Sequence, residues 1–190
     1  MDKEWCDKMI FGLKRGVVKL VSNSDIWDSS AKDCIKILYD VLKRDAIDIQ
    51  HVGSTAIKNI VAKPIVDIVI GVKEFDDILK YNELLLKNGI IYRGQDNANQ
   101  LLYVMGDMEN DIRTHHIHVV IYNGKEWNNY INFRDYLNIH EEQAKEYSQL
   151  KIELANRYAN SRADYTLKKS NMINEILEDA LNWRRSNEDY

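Results

Sequence analysis

The feature that most constrains this chain is an aspartate inside an almost unbroken apolar run, Ile65-Val66-Asp67-Ile68-Val69-Ile70. So short and β-branched a run reads as a strand buried on both faces. A carboxylate placed there costs roughly several kcal/mol unless it is paired or holds a cation. Just upstream, Ile47-Asp-Ile-Gln-His-Val52 alternates like a second strand and leads into Gly53-Ser54-Thr55. Gly53 lets the backbone approach an anion closely, and Ser54 and Thr55 add hydroxyls and N–H donors. The chain's only proline, Pro64, stands between the two runs. Two successive strands thus offer a candidate phosphate turn and a candidate metal-holding carboxylate. The plainer alternative is an ordinary turn, with Asp67 as a structural hydrogen-bond acceptor.

A second cluster lies in Arg113-Thr-His115-His116-Ile117-His118-Val119-Val120, which holds three of the five histidines. As a strand, this segment puts His116 and His118 on one face and His115 with Ile117 on the other, so two imidazoles are presented to one ion. Its apolar content predicts a central place in the sheet. The alternative is one histidine bonded to a buried carbonyl and another in solvent. Lys63 precedes Pro64, which biases it toward extended geometry and fixes where its ammonium leaves the backbone. That charge is useful beside a phosphate turn and otherwise is a solvated surface lysine. Arg113 and Arg134 can offer forks to phosphate or carboxylate, and Arg134 can equally pair with Asp135 or a neighbouring helix.

His51-Val-Gly-Ser-Thr-Ala-Ile57, Ala62-Lys-Pro-Ile-Val-Asp-Ile68, the histidine run at 115–120 and Phe133-Arg-Asp-Tyr-Leu137 resemble the signature blocks of the GrpB family. Gly12-Leu-Lys-Arg-Gly-Val-Val-Lys-Leu20 and the segment from Tyr165 to Lys169 also resemble it, so the likeness covers nearly the whole chain. The resemblance implies a nucleotidyltransferase-like fold and leaves the reaction open. Some family members are fused to a dephospho-coenzyme A kinase, whose Gly-x-x-x-x-Gly-Lys-Ser/Thr loop this sequence lacks. One departure from the superfamily pattern matters more. Active nucleotidyltransferases usually carry two carboxylates at alternate strand positions, so that both face one Mg²⁺. Here the position alternate to Asp67 is Val69.

The 190 residues, 45% of them hydrophobic, suffice for a sizeable core and show no linker-like break, so one domain spanning 1–190 is expected. A net charge of −4 argues against nonspecific nucleic-acid binding, while a small anionic ligand can still be held locally. No apolar run approaches the roughly 20 residues that cross a bilayer, and the N-terminus lacks a signal-peptide core, so no membrane and a cytoplasmic location are expected. Cys6 and Cys34 match no metal spacing and read as reduced thiols.

Helical spacing of Trp27, Ala31, Cys34, Ile35, Leu38, Val41 and Leu42 predicts a helix capped by Ser24. Further expectations are a helix over 74–87 ended by Asn88-Gly89, and short strands at 90–92 and 101–105 joined by a polar hairpin or site loop. Three helices follow, through Trp127 to Leu137, Ala144 to Tyr158 and Tyr165 to Leu181, with a frayed tail over 184–190. Tyr165 and Lys169, one turn apart, can reach a substrate or serve as core and surface. The expected fold is α+β: a nucleotidyltransferase-like mixed β-sheet flanked by helices, with a helical C-terminal part.

The leading functional expectation is metal-dependent transfer from a nucleoside triphosphate to a small acceptor. Gly53, Ser54, Thr55, Arg113 and Arg134 would hold the substrate. Asp67 would bind Mg²⁺ or Mn²⁺ with His116 and His118, Lys63 would neutralise charge, and His118 would act as an acid–base group. Imidazole pairs suit Mg²⁺ poorly, which favours Mn²⁺ or Zn²⁺. The alternative is a noncatalytic nucleotide- or anion-binding module of the same fold; a third reading is an interaction protein using its aromatic helices. Oligomeric state is not legible in the sequence.

Overall fold

The computed structural model describes residues 11–159 and 161–188, so Cys6 lies outside the described residues. In chain order the elements are β1 (Leu13–Lys14), α1 (Asp25–Leu42), β2 (Asp48–Val52), β3 (Val66–Val72), α2 (Asp76–Leu79), α3 (Asn82–Lys87), β4 (Ile91–Asn97), β5 (Gln100–Asp107), β6 (Ile112–Ile121), α4 (Lys125–Ile139), α5 (Glu141–Arg157) and α6 (Arg162–Glu188). Single 3₁₀ turns occupy Lys43–Asp45 and Ser54–Ala56.

The strands form one mixed sheet ordered β2-β3-β6-β5-β4, with β1 paired to the start of β6. β3 and β6 run parallel, and the other pairs are antiparallel. The histidine strand is therefore central, as its apolar content predicts. Alternation along β3 sends Val66, Ile68, Ile70 and Val72 to the face covered by Trp27, Ala31, Cys34, Leu38 and Leu42 of α1. The opposite face carries Asp67 and Val69, the latter packed with Val52, Val120 and Trp127 under α4. A further core joins Ile57 and Ile60 to Phe133, Tyr136, Leu137, Tyr147 and Ile176 of α4, α5 and α6. Asp67 thus faces the three C-terminal helices.

Ser24 caps α1 by accepting from the Ile26 N–H, and Cys34 is a buried free thiol whose pKa burial raises to about 12. The expected helix over 74–87 is corrected to two short ones. It breaks at Lys80 and Tyr81, whose polar ends both reach Asp45, at 2.8 Å each. The polar segment between the short strands is the hairpin of the two alternatives, with β4 extended through its polar residues to Asn97 and a two-residue connection to β5. β4 is the sheet's edge, where polar side chains are tolerated and discourage further strand pairing. The tail does not fray at Arg184. There α6 continues to Glu188, and Arg184 bonds Asp135 at 2.6 Å and Asn132 at 3.0 Å. Among the described residues no helix is long and apolar enough to cross a membrane.

Candidate functional site

The turn after β2 and the aspartate of β3 meet directly, because Val52 pairs with Asp67 across the two antiparallel strands. Gly53 takes φ +70°, and a Cβ built on it would lie 2.5 Å from Asp67 Oδ2. Any side chain here meets both backbone strain and the carboxylate, so glycine is required by close approach. Thr55 is buried, with its Oγ1 3.0 Å from His51 Nε2, while the Ser54 hydroxyl faces the Tyr147 hydroxyl at 3.4 Å.

The parallel register sets Asp67 beside His116 and Val69 beside His118. Both imidazoles turn to the same oxygen: His116 Nδ1 lies 3.4 Å and His118 Nε2 3.5 Å from Asp67 Oδ1. Burial works against ionisation of Asp67, but the hydrogen bonds and charge from the two rings outweigh it and hold the carboxyl well below its usual range. The amide of Gln100 donates to His118 Nδ1 at 3.1 Å and its carbonyl accepts from the Tyr130 hydroxyl at 2.9 Å, which assigns the Nε2–H tautomer to a neutral His118. His115 points to the other face, against Ser30 of α1 at 3.1 Å. The expected division of the three histidines between the two faces is the one the strand adopts.

Asp67, His116 and His118 converge, but as two rings turned onto one carboxylate oxygen. Among the described residues no three His, Cys, Asp or Glu side chains are arranged to hold a metal ion. Mg²⁺ prefers oxygen donors in near-octahedral array. The one carboxylate here is engaged, and Val69 fills the alternate position where a second would stand. Among the described residues the arrangement thus lacks the paired carboxylates by which nucleotidyltransferases hold Mg²⁺.

Two lobes open on either side of Asp67, Ser54 and Lys169, which line both. One, of about 240 Å³, is walled by Lys14, Arg15, Lys63, Arg113, Lys151, Arg162 and Lys169, with Thr55 and His116 among the other residues. The second, of about 290 Å³, is lined chiefly by Tyr130, Phe133, Tyr147, Ile173 and Leu177, with Glu126 and Asn129. A larger groove of about 800 Å³ between residues 18–27 and the end of α5 contains no such clustering of charge.

The cations of the first lobe press on one another. Burial, Lys169 and Arg162 lower the Lys63 pKa to about 8, with Asp67 offsetting part of this, and the Lys63 ammonium lies 4.3 Å over the Tyr165 ring. Lys151 is almost fully buried, donates to the Val61 carbonyl and lies 4.3 Å from the Tyr147 ring centroid. Burial and then Lys169 push its pKa down to about 6. Arg113 is depressed by burial and by Arg15, Arg93 and Arg162, with Asp111 opposing. Its Nε and His116 Nε2 are buried without a hydrogen-bond partner.

Of the residues singled out in the sequence, Gly53, Ser54, Thr55, Lys63, Asp67, Arg113 and His116 line the lobes, and His118 reaches them through Asp67. Arg134 is not brought there. Its guanidinium is held by Asp135 at 2.7 Å, Gln50 at 2.8 Å and the His51 carbonyl at 3.0 Å, which ties α4 to β2. Lys151, Arg162 and Tyr147 are not marked by any motif in the sequence, and there Lys169 is equally a substrate contact or a surface residue. Their signal was a lysine set in the apolar stripe of α5, one turn from both Tyr147 and Leu154.

The model of the GrpB protein family matches residues 17–179. The glutamate-rich protein GrpB of Alkalihalophilus pseudofirmus is 39% identical over 173 residues, covering 90% of this chain and 99% of that protein. YqkA of Bacillus subtilis is 30% identical over 169 residues, and there the match spans 88% of this chain but 48% of the relative. Among solved structures, GrpB from Enterococcus faecalis superposes with a TM-score of 0.80 at 26% identity, over 87% of this chain and 99% of that one. Cid1 poly(U) polymerase with MgGTP bound gives a TM-score of 0.53 at 15% identity, over 77% and 49% of the two chains. That likeness concerns the fold alone, and the fold is nucleotidyltransferase-like.

Proposed function

The chain belongs to the GrpB family, and from that premise we propose that it binds a phosphate-bearing small molecule, a nucleoside triphosphate by its shape, in the two-lobed cleft. The observation that carries this reading is charge. A chain of net charge −4 gathers Lys14, Arg15, Lys63, Arg113, Arg162 and Lys169, together with the Lys151 amine, around a single carboxylate, and leaves the buried Nε of Arg113 without an acceptor. So many cations brought together repel one another, and a polyanion relieves that repulsion. The phosphates occupy the basic lobe beside Ser54 and Thr55. The base stacks in the lobe of Tyr130, Phe133 and Tyr147, where aromatic faces accept any flat ring.

A second reading is metal-dependent nucleotidyl transfer to a small acceptor, with Asp67 on the cation, Lys63 neutralising charge and His118 as acid–base group. The placement of Asp67 at the junction of the lobes favours it, and the buried Val69 beside it weighs against it. Calorimetry and thermal melts with ATP, GTP, CTP and UTP, each with and without Mg²⁺ or Mn²⁺, separate the readings. We expect binding without metal, with stabilisation of about 2.7 kcal/mol at a ligand concentration 100 times Kd. Binding that requires the metal would move the conclusion to transfer. No stabilisation by any triphosphate, with or without metal, would refute both.

A further inference from the structure

Beside the basic lobe lies a chain of side chains that anion binding does not use. Thr55 Oγ1 is 3.0 Å from His51 Nε2, and His51 Nδ1 is 3.3 Å from Asp28 Oδ1. Three elements build it: His51 is on β2, Thr55 is on the turn that follows, and Asp28 is on the first turn of α1. With Asp28 accepting the Nδ1–H, Nε2 is left as an acceptor and takes its hydrogen bond from the threonine hydroxyl. A hydroxyl, an imidazole and a carboxylate in this order form the arrangement that activates a nucleophile.

We propose that Thr55 is a phosphoryl acceptor, activated by His51 and positioned through Asp28, for the terminal phosphoryl group of the nucleotide bound in the cleft. The inference rests on the nucleotide-binding reading above. The lobes place Thr55 with the phosphates: it lines only the basic one and not the aromatic one. A triphosphate whose base lies on the aromatic wall carries its phosphates into the lobe that Thr55 lines, and transfer of the terminal group is the step that leaves the rest of the nucleotide intact. In the step, Oγ1 forms a bond to the γ-phosphorus while the bond from that phosphorus to the β–γ bridging oxygen breaks. A nucleoside diphosphate leaves, and the Thr55 proton passes to His51 Nε2. Lys63 and Lys169 neutralise charge on the phosphates, and Asp28 stabilises the imidazolium. Asp28 is 67% exposed at its side chain, so the relay is open to water for return of the proton.

His51 is suited to the role of base because it is held below its ordinary pKa. Burial is the largest cause, Asp28 and Asp67 raise it, and Arg134 lowers it. It is neutral at pH 7 and able to take a proton.

The test incubates the whole protein with ATP or GTP carrying label at the γ or the α position, maps any covalent label by peptide mass spectrometry, and measures nucleotide binding in parallel by calorimetry. Label from the γ position only, on Thr55, is expected. Thr55→Ser should retain labelling at position 55, and Thr55→Val should abolish it. His51→Gln should slow it by about 10²-fold or more, the usual contribution of a general base. Asp28→Asn should slow labelling and move the acid limb of its pH profile to lower pH, because the carboxylate that raises the His51 pKa is gone. A merely structural Asp28 would leave that limb in place. Nucleotide binding without label, label from the α position, or labelling that survives Thr55→Val overturns this inference and leaves the binding proposal intact. Absence of binding overturns both.

Discussion

Filling the cleft with an anion should draw protons from solution, in an amount that follows from two lysines. At pH 7 a Lys151 pKa of about 6 leaves the amine about one-tenth protonated, whereas Lys63, at about 8, is about nine-tenths protonated. An anion that restores both to ordinary lysines takes up about 0.9 proton at Lys151 and about 0.1 at Lys63, close to one in total. Charging Lys151 at pH 7 withdraws ~1.4 kcal/mol from binding. Affinity should therefore fall about tenfold per pH unit near neutrality, and more steeply above pH 8, where Lys63 joins. Sulfate is the probe, because it does not titrate in this range. Calorimetry in buffers of different ionisation enthalpy reads the proton number directly. Lys151→Met keeps the packing on Tyr147 without a titrating group, and should reduce uptake at pH 7 to about 0.1. Sulfate binding with uptake below about 0.3 in the unaltered protein, or unchanged by Lys151→Met, would refute the reasoning.

The same depressed lysine fixes how stability varies with pH in the unliganded protein. From about 6 to 10.5 the unfolded chain binds the Lys151 proton and the folded one does not, so stability rises with pH through that window, and Lys151→Met should flatten the rise in thermal melts. Gly53→Ala places a Cβ 2.5 Å from Asp67 Oδ2 at φ +70° and should lower stability by about 1–3 kcal/mol in denaturant titrations. Asp67→Asn removes the one carboxylate of a basic lobe, and its amide oxygen can still accept from both imidazoles. By Coulomb's law at an effective dielectric near 20, the lost repulsion should tighten sulfate binding by about tenfold or more, whereas the metal-transfer reading requires it to abolish metal-dependent binding. His116→Gln with His118→Gln should weaken ligand binding, while His115→Gln should leave binding unchanged and cost about 1 kcal/mol through its lost bond to Ser30. Equal loss of binding from all three would point to general damage to β6.

What the sequence made legible was whatever period two controls. Alternation along β3 and β6 put Asp67, His116 and His118 on one face and His115 on the other, and a glycine between apolar runs marked the close approach of the turn to Asp67. What escaped came from helices. Lys151, Arg162 and Lys169 reach the cleft only because α5 and α6 fold back over the sheet, and nothing in their spacing states where a helix will lie. Arg134 shows the converse: it stands in a family block, yet packing turned it to Gln50, Asp135 and the His51 carbonyl. Asp28 and Thr55 lie 27 positions apart, and only the docking of α1 against β2 brings them to one imidazole.

The valine beside Asp67 explains why this cleft is built from cations and not from paired acids. Val69 has no exposed surface and packs with Val52, Val120 and Trp127. A carboxylate in its place would be buried against an indole and aliphatic groups, at a cost of several kcal/mol or so unless an ion or donor lay within reach. Gly71, two residues on, reinforces the same packing: a Cβ there would come within 2.9 Å of the Trp127 ring. Trp127 is therefore seated over the strand where a second metal ligand would have to emerge. Restoring that ligand by Val69→Asp alone would open a hole under α4 before it created a metal site. Charge compensation for a phosphate chain must then come from the other wall, which Lys151 of α5 and Arg162 and Lys169 of α6 supply. The helical layer that buries position 69 is also the layer that brings the cations.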